Sequence, residues 1–187
     1  MTGEPLLHGV VIAGFGGQGV VLAGKLLANA ALAEGHQVVW APSYGPEMRG
    51  GEVHCTVIVS SRRIGSPEVS VADTLLVMDR NSLRKFARRV KPDGLMVLNS
   101  SLIPDENGAN GCQVLRVPAN EIAEEMGDIR IANVVMLGAF LGQRPVIPPA
   151  SLEDAIRTVG HEAGSKPAVI ELNIQAFARG IKLARGA

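Results

Sequence analysis

A chain of 187 residues that is 47% hydrophobic is long enough to bury one good core, and its length argues for a single domain over residues 1–187. Its 18 Lys and Arg balance 18 Asp and Glu, so there is no net positive field for a polyanion, and nucleic acid is not an expected partner. Cys55 and Cys112 are the only thiols, with no C-x-x-C pair and too few ligands for an iron–sulfur cluster or a closed zinc site, so no metal is expected and a reducing cytoplasm fits best.

From Pro5 to Gly24 no residue is charged, which imitates a membrane span or signal segment. Six glycines and Gln18 interrupt the stretch and no basic residue precedes it, so it reads as strand, turn and helix, with no membrane partner. The first strand is placed at 8–13, the turn is "GFGGQG", and a helix follows over 19–33. Lys25 and Asn29 are almost the only polar side chains of that helix, so it must be covered on more than one side, the second cover being expected from another subunit.

Further strands are expected at 37–41, 53–59, 74–78, 95–98 and 113–117. Helices are expected at 81–90, with Leu83, Phe86 and Val90 on one side, and at 119–126, ending at Gly127. The last third reads as helical: 131–142, 152–163 after the cap Ser151, and 167–184 opened by Pro167, with Ile170, Ile174, Phe177 and Ile181 as one apolar stripe. The alternation predicts an α/β fold, a three-layer α/β/α arrangement with a Rossmann-like, mixed but largely parallel sheet and a helical C-terminal third. The sheet is expected to be mixed, or crossed at an edge, between 37 and 59, where a loop without a helix joins two strands.

Gly14, Gly16 and Gly19 satisfy G-x-G-x-x-G, with Gly17 and Gln18 between them, in the strand–turn–helix setting that offers free N–H groups to an anion. A dinucleotide site also needs a carboxylate at the end of the next strand, and Gln37–Ala41 runs into Pro42-Ser43 without one. NAD or NADP binding is therefore disfavoured. The turn is either an anion site or a packing device, and the flexible amide of Gln18 favours a ligand.

The loop "SYGPEMRGGE" lies beyond a strand end, where ligand-contacting loops sit in α/β sheets. Ser43, Glu47 and Arg49 are its candidate ligand or junction residues: Arg49 suits a phosphate or carboxylate, Glu47 a cation or amine. His54 and Cys55 point to opposite faces of a strand and are expected to pack. Asp79 is expected to cap the next helix, Arg84, Arg88 and Lys91 to form a solvated helical face, and Gly138 and Ala139 to allow close helix contact. No nucleophile with a base, no paired acid and base and no metal cluster emerges, so no catalytic residue is assigned.

Taken together, "GFGGQGVVLAGKLLANAALAEG", "SYGPEMRGGEVHCTVIVSS", "VLNSSLI" and "EIAEEMGDIRIANVVMLGAFLG" resemble the gamma subunit of multi-subunit 2-oxoacid:ferredoxin oxidoreductases, from about residue 8 to 182. The resemblance implies a complex that oxidatively decarboxylates a 2-oxoacid, joins the acyl group to coenzyme A and passes electrons to ferredoxin. It implies alpha and beta companions, with or without a delta subunit, and thiamine diphosphate and iron–sulfur clusters on those companions, with no cofactor held by this chain alone. The glycine turn and the 43–52 loop would then face a subunit junction near substrate or coenzyme A. "PEMRGG" looks more like the 2-oxoglutarate and branched-chain members than the indolepyruvate branch. The alternative is a free-standing nucleotide- or coenzyme A-binding module that uses the turn.

Overall fold

The computed structural model describes residues 5–45, 51–104 and 111–186. Six strands form one sheet: β1 (Leu7–Phe15), β2 (Gln37–Tyr44), β3 (Glu52–Ser60), β4 (Ala72–Val77), β5 (Val90–Asn99) and β6 (Gln113–Val117), in the order β2-β3-β1-β4-β5-β6. β1, β4, β5 and β6 run parallel, whereas β3 lies antiparallel between β1 and β2. The mixed, largely parallel sheet expected from the sequence is thus present, and its mixture is that single reversed strand.

β1 can sit at the centre because Val10–Ala13 are apolar without interruption. All four are at most 1% exposed, Val10 and Ile12 toward one core, Val11 and Ala13 toward the other. The first core lies under α1 (Val20–Ala33), α3 (Ala119–Glu125) and α4 (Ala132–Gln143), with α5 (Pro149–Glu162) and α6 (Pro167–Arg185) packed outside. The second lies under α2 (Arg80–Phe86).

α1 rests on β1, β2 and β3, and its outer side is closed by α5. A helix of the same chain therefore supplies a second cover for its apolar sequence, while Leu22 and Leu32 stay exposed. Gly24 brings α1 down onto β3: an added Cβ would overlap Cys55 Sγ and lie 3.0 Å from Trp40 Nε1.

α4 is buried on all sides from Ala132 to Leu141, held between the sheet and α6. The two helices meet through glycine, since a Cβ on Gly138 would overlap the Phe177 carbonyl and one on Gly180 the Val135 carbonyl. This is the close contact that Gly138 and Ala139 suggested.

Three local expectations are corrected. The helix predicted over 81–90 ends at Phe86, a 3₁₀ turn covers Ala87–Arg89, and Val90 already belongs to β5. Lys91 is consequently a strand residue paired with Asp73, so it does not share a helical face with Arg84 and Arg88. Ser151 caps nothing: α5 begins at Pro149, a residue suited to the first turn because it lacks an N–H, and the Ser151 hydroxyl instead donates to Glu34. Asp79 does cap α2, accepting from the Asn81 and Ser82 N–H groups at 2.9 and 3.2 Å.

At the amino end of the sheet, His8 Nε2 lies 2.9 Å from Thr74 Oγ1, and Asp73 accepts from the Gly9 N–H at 2.7 Å and from Lys91. Burial pushes the His8 pKa down to about 4, against the opposing pull of Asp73. Among the described residues no helix is long and apolar enough to cross a membrane.

Two outcomes are expected. Gly180→Ala should lower stability by about 2 kcal/mol in urea denaturation, because backbone overlap with α4 outweighs the ~1 kcal/mol gain in helix propensity. As pH falls from 6.5 to about 4, the unfolded chain binds a proton at His8 that the folded chain refuses, so stability is full above that window and declines through it. The loss is on the order of 3 kcal/mol, and His8→Gln should flatten that part of the stability–pH profile.

Candidate functional site

The carboxyl ends of β1 and β4 form the switch point of the sheet, because α1 leads away to the β3–β2 side and α2 toward β5. The turn after β1 occupies it. Gln18 closes this turn on itself: its N–H donates to the Phe15 carbonyl at 3.1 Å, and its side-chain Oε1 accepts from the Phe15 N–H at 2.9 Å. Its Nε2 donates to the Met78 carbonyl at 3.4 Å, so the amide spans from the turn to the end of β4. Gly14 has no room for a side chain, since a Cβ would overlap Gln18 Oε1 and lie 2.9 Å from Val20 Cγ2.

Gly19 takes φ 73° at the N-cap of α1 and is pinned from outside: buried Asn133 of α4 donates through Nδ2 to its carbonyl at 2.9 Å. Among the described residues no side chain caps the first turn of α1. Gly17, at φ 103°, has nothing among the described residues within 4 Å of where a Cβ would stand. Among the described residues the backbone is therefore tight on its inner side and open on its outer side.

Two depressions flank this turn. One, of about 280 Å³, is lined by Phe15, Gly17, Gln18, Met78, Asn120, Ile129, Arg130 and Ala132. Phe15 and Ile129 give it an apolar rim, 41% and 45% exposed. Arg130 forks onto Asp128 at 2.6–3.1 Å, and that guanidinium, followed by the Arg130 N–H, holds the Asp128 carboxyl below the usual carboxylate range. Behind the crevice, fully buried Asn99 donates to the Met78 carbonyl at 3.2 Å and to Asn120 Oδ1 at 2.9 Å, while its own Oδ1 finds no partner among the described residues.

The other depression, about 320 Å³, is lined by Ser43, Tyr44, Gly45, Gly51, Glu52, His54 and Lys85. Glu52 Oε1 pairs with Lys85 Nζ at 2.5 Å and lies 3.9 Å from His54 Nδ1. The His54 pKa is lowered chiefly by burial, and Glu52 opposes the shift. His54 packs on Phe86 at 4.9 Å between ring centres, and Cys55, on the opposite face, is buried with its thiol pushed up to about 11 by desolvation. Both therefore pack, although His54 also lines the cleft.

The candidate residues thus divide. Gly14, Gly16, Gly17, Gln18 and Gly19 form the turn, with Gly17 and Gln18 lining the first crevice; Ser43 lines the second; Glu47 and Arg49 lie outside the described residues. The Gly16 N–H donates to the Gly51 carbonyl at 3.0 Å, which ties the turn to the start of β3. Asn99, Asn120 and Asn133 were not selected from sequence; a polar residue closing the apolar run of β5 was the one available signal.

The topology adds a second obstacle to dinucleotide binding. A ribose-binding carboxylate belongs at the end of the strand beside β1, but β2 stands two strands away, about 10 Å at the usual strand spacing. Among the described residues the carboxylate that flanks the turn is Glu52, opposite Phe15 on reversed β3 and occupied by Lys85.

Residues 9–183 match the family model for pyruvate ferredoxin/flavodoxin oxidoreductase. The chain is 38% identical over 177 residues to the ketoisovalerate oxidoreductase subunit VorA of Methanothermobacter thermautotrophicus, covering 94% of this chain and 36% of that protein. It thus spans about a third of the length of that relative. It is 36% identical over 179 residues to the 2-oxoglutarate synthase subunit KorC of Methanothermobacter marburgensis, covering 92% of this chain and 94% of the relative. Among solved structures, the gamma subunit of a keto/oxoacid ferredoxin oxidoreductase from Geobacter sulfurreducens superposes with a TM-score of 0.79 at 30% identity, over 96% of this chain and 99% of that one.

The two left-handed glycines should respond differently to substitution. Gly19→Ala meets both an unfavourable φ and the Asn133 amide, and is expected to cost about 3 kcal/mol; Gly17→Ala meets, among the described residues, the φ alone and should cost about 1 kcal/mol, both read from chemical denaturation.

Proposed function

The chain belongs to the pyruvate ferredoxin/flavodoxin oxidoreductase family, and from that premise we propose that it is the gamma subunit of a multi-subunit 2-oxoacid:ferredoxin oxidoreductase. The observation that carries this reading is the near end-to-end match to proteins of the same extent: 94% of a KorC subunit and 99% of a gamma-subunit chain. The complex converts a 2-oxoacid and coenzyme A to an acyl-CoA and carbon dioxide, and the two electrons released pass to ferredoxin.

Thiamine diphosphate and the iron–sulfur clusters are assigned to companion alpha and beta subunits, with or without delta. This chain's residues do not fit the clusters: among those described, no three His, Cys, Asp or Glu side chains converge as metal ligands, and Cys55 and Cys112 lie in different parts of the fold. The comparisons lend no support to a free-standing nucleotide-binding module. The role assigned to the turn is to complete a junction and receive an anionic group of coenzyme A or the 2-oxoacid. The uncapped start of α1 and the open face of Gly17 support that role.

Anaerobic purification of the tagged chain from its native cells should yield larger companions, bound iron and 2-oxoacid-dependent ferredoxin reduction. The isolated chain should do nothing, and turnover by it alone would overturn the assignment. Within the complex, Gly17→Asp should raise KM for coenzyme A or the 2-oxoacid about tenfold relative to Gly17→Asn, which matches it in shape but not in charge. Equal KM values for the two variants would remove the anion-binding role.

A further inference from the structure

We propose that the face of β2 and β3 turned away from α1 is the docking floor for a helix of a companion subunit, one with carboxylates along one flank. The inference rests on the gamma-subunit reading above. When parallel strands follow one another in sequence, the crossover between them lays a helix on one face of the sheet. β2 and β3 are instead sequence-adjacent antiparallel partners, so among the described residues no crossover helix between them lies on this face.

The result is visible in the burial. Val39, Ala41 and Ser43 of β2 and His54 and Thr56 of β3 share this face and are only half-buried, and none joins the core beneath α2. On the other face of the same two strands, Cys55, Val57 and Val59 are completely buried under α1. The floor has the width of a helix: two strands at ~5 Å spacing give a strip about 10 Å across, matching a helix diameter of ~10 Å. The half-buried stretch, 39–43 of β2, runs ~16 Å, the length of a helix of about 11 residues, and it ends where Ile58 and Ser60 of the same face are buried. Ala41, Ser43 and Thr56 are short, so they admit the larger side chains of an incoming helix.

The surroundings set its charge. α2 borders the floor through Phe86, which stacks on His54 and carries Lys85 and Arg89 over its ring at 5.5 and 5.6 Å. At the amino end, Ile58 opens into a groove of about 620 Å³ whose lining includes Arg62, Arg63 and Glu68. Lys85 is neutralised by Glu52, and Arg89 is engaged by the Val69 carbonyl. Exposed Arg62 and Arg63 have no ion-pair partner among the described residues, and they are the cations an acidic flank would meet.

A companion is favoured over a second copy because α4, α5 and α6 already spend their apolar faces within this chain. The VorA relative, moreover, carries the counterpart of this chain as only 36% of its length, joined to a larger body.

The test uses Thr56→Cys and, across the ladder, Ala41→Cys in a Cys112→Ser background, labelled with a maleimide in the free chain and in the assembled complex. Native Cys55 is buried and serves as the unreactive control. Labelling at both positions is expected to slow at least tenfold in the complex, and Arg62→Glu with Arg63→Glu should weaken assembly without changing the free chain's Tm. Unchanged labelling in an intact complex overturns the inference alone. Protection in the free chain that rises with concentration assigns the face to a second copy and overturns it too. Protection that survives the double charge reversal with undiminished affinity removes the acidic flank. A chain that assembles with no companion removes both this inference and the gamma-subunit reading.

Discussion

The antiparallel ladder between β1 and β3 fixes the rest of the molecule. It runs for nine residue pairs, from Leu7 opposite Ser60 to Phe15 opposite Glu52, and takes the position beside β1 that the next parallel strand would occupy in a dinucleotide-binding sheet. Because side chains alternate along a strand, one residue of slippage would exchange Cys55, Val57 and Val59 for His54, Thr56 and Ile58 under α1. The same ladder delivers Gly51 to the Gly16 N–H and Glu52 to the flank of the turn. Without it the turn would face an open edge and a displaced β2.

Above that ladder, the helices settle where the chain can come closest to itself. Gly24 lowers α1 onto Cys55, and Gly138 and Gly180 allow α4 and α6 to touch backbone to backbone. α4 then does two jobs. Its middle fills the core, and Asn133 near its start reaches out to hold the carbonyl of Gly19. Packing of the helical third and geometry of the glycine turn are therefore one structural problem, joined by the buried Asn133 amide.

Much of this was legible in the sequence. All six strands were expected, since each is an apolar, β-branched run bounded by glycine, proline or charge, and the periodic stripe of α6 located its buried face. α2 was overextended because Val90 continues its helical spacing, whereas Arg88, Arg89 and the Lys91-Pro92 step favour a turn into β5. The glycine turn was recognisable by motif, and Asp79 by its position before a helix. The hydrogen bonds that shape the turn were not: Asn133 meets Gly19 across 114 residues and Asn99 meets Met78 across 21. No local pattern encodes such pairings. Nor does any local pattern reveal that β3 inserts between β1 and β2, because strand order is decided by which faces can be buried together.

The amide of Gln18 also bears on the thermodynamics of association. A phosphate-binding loop that is loose before its ligand arrives must surrender backbone freedom on binding, about 1–2 kcal/mol for each residue that becomes ordered. Here the Phe15–Gly19 segment is already closed by the Gln18 side chain from inside and by Asn133 from the helix side. That entropy is given up during folding, so under the proposed role a ligand at the turn would meet a rigid surface, and its affinity would be set by contacts and desolvation rather than by loop ordering.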